Sequence, residues 1–357
     1  MTSFVHEPLP VRVVFGPGSA VGLQAELDRL DLRRPVLIST PGQAAAARSL
    51  AAAFAGHLPT AVMHVPAAVA GDAAGAVRDL AADGLVAYGG GSATGLAEAV
   101  ARDTGLPIVA VPTTYAGSEM TPIWGVTDGG VKRTGRDPRV LPRTVLYDPD
   151  LTAALPAQVA AASGLNALAH AVEALYAPDR SPVVTLLAEA AIGALGRALP
   201  RLVTAPDAAS RTEALYGAWL CGTCLGSTTM GLHHKLCHVL GGTFGLPHAG
   251  VHAVILPYAL AYNATHAPGA DAAVARALGQ EGGQEGGHHD GAAALHHLAR
   301  AVGAPRSLAD LGLRAEDLDE AATLAGRDAY PNPRPITAAG LRELLRQAYE
   351  GRPPGRP

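Results

Sequence analysis

Along the first 150 residues, short apolar runs rich in β-branched side chains alternate with alanine-rich stretches of helical character. VRVVF (11–15), PVLIST (35–40), TAVMHV (60–65), LVAYGG (85–90) and PIVAVPTT (107–114) predict a series of strands with helices between them. Runs that are apolar almost throughout belong to strands covered on both faces, as in a parallel sheet flanked by helices. The pattern is the doubly wound α/β one, in which ligands sit beyond the carboxyl ends of the strands. Near residue 152 the texture changes. Strand signals stop, and long Ala/Leu segments at 155–177, 181–203 and 208–228 predict helices. The reading is an α/β domain with a Rossmann-like parallel sheet over 1–153 and an all-α domain over 154–357. The charged stretch VKRTGRD (131–137) reads as a loop, as does GQEGGQEGGHHDG (279–291), whose His288 and His289 read as solvated.

Composition adds exclusions. Hydrophobic residues make up 48% of the 357 and charged residues 16%, so sizeable cores form easily. A net charge of −4 gives no electrostatic case for nucleic acid or an anionic membrane as partner. No basic-then-apolar leader and no unbroken apolar run of about 18 residues stands out. With three cysteines, Cys221, Cys224 and Cys237, there is no disulfide framework, and a cytoplasmic protein is expected. Cys221 and Cys224 form a Cys-x-x-Cys pair inside an apolar helical pattern, which reads as buried structure before metal or redox chemistry. Among the basic residues only Lys132 and Lys235 are lysines.

Two strand ends carry ligand chemistry. In LVAYGGGSATG, Gly89, Gly90, Gly91 and Ser92 lie between a strand and a helix. Glycine lets the backbone approach a pyrophosphate, and the helix N-terminus attracts its oxygens. At VPTTYAGSE, Thr113, Thr114 and Ser118 offer hydroxyls nearby, with helix capping as the alternative role for Ser118. Two such cradles in one sheet point to a dinucleotide. The strand ending at Ser39, Thr40 and Pro41 carries no acid to grip a ribose 2′-hydroxyl, so NADH and NADPH both remain open.

The helical half gathers histidines. In GLHHKLCHVLGGTFGLPHAGVHAVILP (231–257), His234 and His238 stand at i and i+4, and His248 follows a turn at Pro247. SGLNALAHAVEALY puts Asn166 and His170 at the same spacing. Four such residues on two helices of an apolar domain read as a site.

Together GGGS, PTTYAGSE, the Asn/His helix, HHKLCH-x8-PH and YPNPRP (330–335) resemble the iron-containing alcohol dehydrogenase superfamily, and within it the maleylacetate reductases. The resemblance implies the dehydroquinate synthase-like fold, NADH or NADPH as cofactor, a homodimer, and a small dicarboxylate or related enone substrate. Metal-dependent members hold iron or zinc with one Asp and three His, which fall here on Asn166, His170, His234 and His248. Asn supplies neither the charge nor the strong oxygen ligand of a carboxylate, so no metal is expected. Were one bound, His170, His234 and His248 would hold it. Metal-dependent relatives also carry Asp where Gly95 stands.

The implied reaction adds hydride to the alkene of a 4-oxo-2-enedioate. His170, His234, His238 and His248 would serve the developing enolate and the proton. Tyr115, Asn166, His233, Lys235 and Arg334 are candidates for the substrate and its carboxylates, and Lys132 for cofactor phosphate or substrate. The reductases usually read PHAET and LPHALAYN where this chain has PHAGV (247–251) and LPYALAYN (256–263), so Gly250, Val251 and Tyr258 leave a related enone or a biosynthetic intermediate open. A metal-dependent alcohol or aldehyde oxidoreductase, a cyclase of the same architecture and a cofactor-binding scaffold are the alternatives.

Overall fold

The computed structural model describes residues 3–129, 131–280 and 290–355. The chain forms two compact units: Pro8–Leu155, and Pro156–Pro357 together with Met1–Glu7. The first residues thus belong with the helices and not with the sheet.

In the first unit six strands are parallel: β1 (Arg12–Phe15), β2 (Pro35–Ile38), β3 (Gly56–Leu58), β4 (Gly84–Gly89), β5 (Ile108–Pro112) and β8 (Thr144–Tyr147), in the order β1-β8-β5-β4-β2-β3. Strands β6 (Ile123–Asp128) and β7 (Val131–Arg136) form a separate antiparallel pair. Between the early strands run α1 (Leu23–Arg29), α2 (Ala44–Arg48), α3 (Ala67–Asp79) and α4 (Gly91–Thr104). Every residue of β2, β4, β5 and β8 is buried, as their unbroken apolar runs require. One face of the sheet packs Val36, Ile38, Leu85 and Ile108 beneath α3 and α4. The other packs Leu37, Val86, Val109 and Leu146 against Leu23 and Leu27 of α1.

Two expectations are corrected. TAVMHV is not a strand: β3 ends at Leu58, and 60–65 is irregular, with His64 at φ 65° and Val65 at φ 41°. Pro59 and Pro66 bracket the run, and neither positive φ is compatible with a pleated strand. VKRTGRD is not a loop, because residues 131–136 pair with β6 from Ile123↔Arg136 to Asp128↔Val131.

The second unit holds α5 (Ala157–Ala174), α6 (Pro182–Thr204), α7 (Ala208–Ser227), α8 (Leu232–Gly242), α9 (His248–Asn263), α10 (Pro268–Ala277), α11 (Gly291–Ala301), α12 (Leu318–Ala325) and α13 (Ala338–Glu350). Helices α5, α6 and α7 pack on one another. Ser181 accepts from the Val184 amide to cap α6, and Asp207 with Ser210 forms a capping box on α7. Leu232, Leu236 and Leu240 of α8 meet Val251, Ile255 and Tyr258 of α9 and Leu341 and Leu345 of α13 in one core. By length and composition α6 is apolar enough to cross a membrane, but it packs between core helices. Cys221, Cys224 and Cys237 are free, buried thiols. His288 and His289 lie outside the described residues.

Candidate active site

Successive strands here run from β2 outward to β3 and then to β4 on the other side of β2. That reversal makes the carboxyl ends of β2 and β4 a switch point, where an open α/β sheet leaves a crevice. Ser39 and Thr40 follow β2, Gly89–Ser92 follow β4, and Thr113 and Thr114 follow the neighbouring β5. Gly89 has φ +143°, and a Cβ there would stand 2.6 Å from Gln43 Oε1. A Cβ on Gly90 would stand 2.7 Å from the Thr114 methyl. Both glycines are therefore required by the closeness of the turn. The first turn of α4 has no side-chain cap, which leaves its amides for an anion.

Gln43, absent from the sequence expectations, links the two turns: its Nε2 donates to Thr113 Oγ1 at 2.7 Å, and its Oε1 accepts from Thr40 Oγ1 at 3.4 Å. Ser39 Oγ contacts His57 Nε2 at 2.8 Å. Ser118 Oγ is enclosed without a hydrogen-bond partner, so it does not cap a helix. Lys132 stands on β7, its charge countering the buried Glu98 of α4, whose carboxyl burial and the nearby Glu119 push up. Tyr115 is buried, its hydroxyl donating to Thr152 Oγ1.

In the helical unit α5 carries Asn166, His170 and Glu173 at i, i+4 and i+7, on one helical face. Helix α8 carries His233, His234, Cys237 and His238, and α9 opens with His248 and His252. His170 Nδ1 lies 3.0 Å from His234 Nε2, with the rings stacked at 5.1 Å. His234 Nδ1 lies 2.6 Å from Glu173 Oε2. The structure thus brings together His170, His234, His238 and His248. It adds two residues that the sequence expectations lacked, Glu173 and His252. The His252 ring centre is 4.5 Å from that of His248, 4.8 Å from His233 and 5.2 Å from His234. His238 is exposed, 6.4 Å from His234.

Glu173 is fully buried. Burial is the strongest influence on its carboxyl and works upward, yet the hydrogen bond and charge of His234 and the charge of His233 hold it down to about 2. Burial and the charge of His234 push His233 down to about 3, and burial with the charge of His248 pushes His252 well below the usual imidazole range. Those two rings are neutral near pH 7. They bond to each other, His233 Nε2 to His252 Nδ1 at 2.9 Å, with Cys237 Sγ 3.5 Å from the former.

The family's metal does not fit. Asn166 offers an amide oxygen, enclosed and without a partner, where the ion needs a carboxylate. The nearest acid, Glu173, is engaged by His234 and by backbone amides. His170 and His234 turn their facing nitrogens on one another. Among the described residues, the one set of three close ligand atoms is His233, Cys237 and His252, a hydrogen-bonded knot in the core.

Lys235 reaches Asp328 at 3.4 Å, and the Arg334 guanidinium lies 4.3 Å over the Tyr262 ring with Nη1 donating to the Tyr262 carbonyl. The three departures from the reductase pattern belong to the core. A Cβ on Gly250 would meet Leu311 at 2.8 Å, Val251 is fully buried, and the Tyr258 hydroxyl donates to the Arg352 carbonyl.

A parallel-sheet unit with a glycine-rich turn after β4, followed by a helical unit with this Asn/His and His/His arrangement, defines a class. An iron-containing alcohol dehydrogenase family model matches residues 10–149, and the C-terminal model of the Fe-containing alcohol dehydrogenase family matches 160–349. The chain belongs to that family and is an oxidoreductase. Within the family it is a homologue of maleylacetate reductases. It is 51% identical over 357 residues to the maleylacetate reductase of Pseudomonas knackmussii, with 99% of each chain covered. It is 52% identical over 356 residues to that of Sphingobium indicum, covering 98% of this chain and 99% of the other. The crystal structure of maleylacetate reductase from Agrobacterium tumefaciens superposes with a TM-score of 0.93 at 46% identity, covering 99% of this chain and 100% of that one.

Proposed function

We propose that the chain is an NAD(P)H-dependent maleylacetate reductase that works without a metal. The observation that carries this reading is the set Asn166, His170, His234 and His248, with an amide in place of a carboxylate and backed by Glu173, in a chain half identical to such reductases over its length. In the proposed reaction bound NAD(P)H would supply the hydride that adds to the alkene carbon β to the ketone of maleylacetate. Charge moves to the ketone oxygen as an enolate, and a proton closes the reaction at the α carbon to give 3-oxoadipate and NAD(P)+. Protonated imidazoles among His170, His234, His238 and His248 stabilise the enolate oxygen and supply the proton, a task otherwise given to a Lewis acid. The cradle at Gly89–Ser92, with Thr113, Thr114, Ser118, Ser39 and Thr40, holds the dinucleotide, and Lys132 its phosphates. Tyr115, Asn166, Lys235 and Arg334 remain the proposed contacts to the dianionic substrate, while His233, fully buried and bonded to His252, is set behind them. Because Gly250, Val251 and Tyr258 serve core packing, they give no reason to replace maleylacetate by another enone.

The enzyme is proposed to be a cytoplasmic homodimer. Three free thiols suit the first, and the edge strand β1, preceded by exposed Phe4 and Val5, suits the second. The deciding experiment is an assay panel of maleylacetate and simple aldehydes, with NADH and NADPH, before and after chelation. Chelator-resistant production of 3-oxoadipate is expected. Aldehyde reduction that chelation abolishes would overturn the proposal in favour of the metal-dependent alternative.

A further inference from the structure

Glu173 lies outside the family's ligand pattern, yet it contacts the central imidazole of the site. We propose that Glu173 is a positioning residue: it holds His234 with its proton on Nδ1 and its Nε2 turned to His170, which orders the imidazole pair for turnover. This rests on the reading that the histidines serve the substrate.

For neutral rings the geometry permits one arrangement. Glu173 Oε2 takes the His234 ring at 2.6 Å, the Gly231 amide at 3.1 Å and the His234 amide at 3.4 Å. Oε1 takes the His233 amide at 2.8 Å and the Tyr176 hydroxyl at 3.4 Å. The carboxylate is therefore pinned to the first turn of α8 and to α5 and cannot swing away. A carboxylate accepts only, so the ring nitrogen facing it carries the hydrogen. Neutral His234 then has its lone pair on Nε2, and the hydrogen of the 3.0 Å contact lies on His170 Nδ1. Turning the His234 ring over would set a C–H against the carboxylate and unmake both contacts. Among the described residues no lysine or arginine pairs with Glu173, so backbone amides, Tyr176 and His234 carry its charge.

Glu173 also caps α8, so a purely structural role has to be separated from a positioning one. Glu173→Gln keeps the size but must turn an NH2 toward amides that already donate. With the positioning role, the folded variant loses about 100-fold in kcat for maleylacetate while its KM for NAD(P)H stays within about twofold. Protein labelled with 15N-histidine gives the second readout, with His234→Gln identifying the signal. Wild-type His234 is expected as the Nδ1–H tautomer, and Glu173→Gln is expected to shift it. A folded Glu173→Gln enzyme with full kcat overturns the proposal. So does a wild-type His234 protonated on Nε2 alone, a result that needs neither the variant to fold nor maleylacetate to be the substrate. Absence of maleylacetate turnover with the expected tautomer would refute the substrate and leave the positioning role standing.

Discussion

Asn166 and Glu173 sit seven residues apart on one face of α5. Asn166→Asp restores the carboxylate beside His170 and His234, in a place where the amide oxygen is enclosed and unpartnered. That variant should retain zinc or iron after dialysis when metal is counted by mass spectrometry, whereas the native chain should not; equal content in both would contradict the account of the donor set. His234→Ala removes the ring between Glu173 and His170, and kcat should fall by roughly 100-fold or more with cofactor affinity nearly unchanged in a fluorescence titration. Much of this was legible in sequence, since i, i+4 spacing brought out Asn166, His170, His234 and His238. Glu173 and His252 were not, although i+7 from Asn166 and i+4 from His248 are equally helical spacings. An acid inside an Ala/Leu helix and a histidine ahead of AVILP signal a site only when a second helix is known to face them.

At the scale of elements, the turn after β4 makes a sharp contrast between neighbouring glycines. A methyl on Gly90 would collide with Thr114 at 2.7 Å, while one on Gly91 has Ser118 Oγ at 3.8 Å and nothing nearer. Gly90→Ala should therefore raise the Kd for NAD(P)H by about tenfold or more, and Gly91→Ala should leave it close to native by calorimetry. Strands buried on both faces could be read from composition, as β2, β4 and β5 were. Strand β8, as long and as buried as β2, was missed, and so was the β6–β7 pair. Strand β7 is VKRTGR, exposed at most positions, and its pairing comes from the adjacent β6 and not from any apolar pattern of its own. TAVMHV failed in the other direction: Ala61 and Val65 are loop residues packed under α3 and α4, while Val62 and Met63 are exposed.

For the whole molecule, the buried acid and its histidines set the response to pH. Glu173, held at about 2 against an ordinary 4.5, contributes stability that is complete above 4.5 and lost as pH falls toward 2, on the order of 3 kcal/mol. His233 and His252 are held neutral, so their unfolded forms take up protons first as pH drops below 6.5, and stability falls there too. Melting temperature should thus decline steadily from pH 7 to pH 4, and His252→Gln should flatten the upper part of that slope in calorimetric scans. A flat native profile across this window would refute the assignment of these groups. The exchange of a liganding acid for Asn166 has a last consequence, which concerns supply. A dehydrogenase that depends on ferrous iron is only as active as the cell's iron stores and is disarmed when peroxide oxidises the ion. In the proposed metal-free reductase the acid–base groups are side chains, so neither starvation for iron nor a burst of oxidant would take them away.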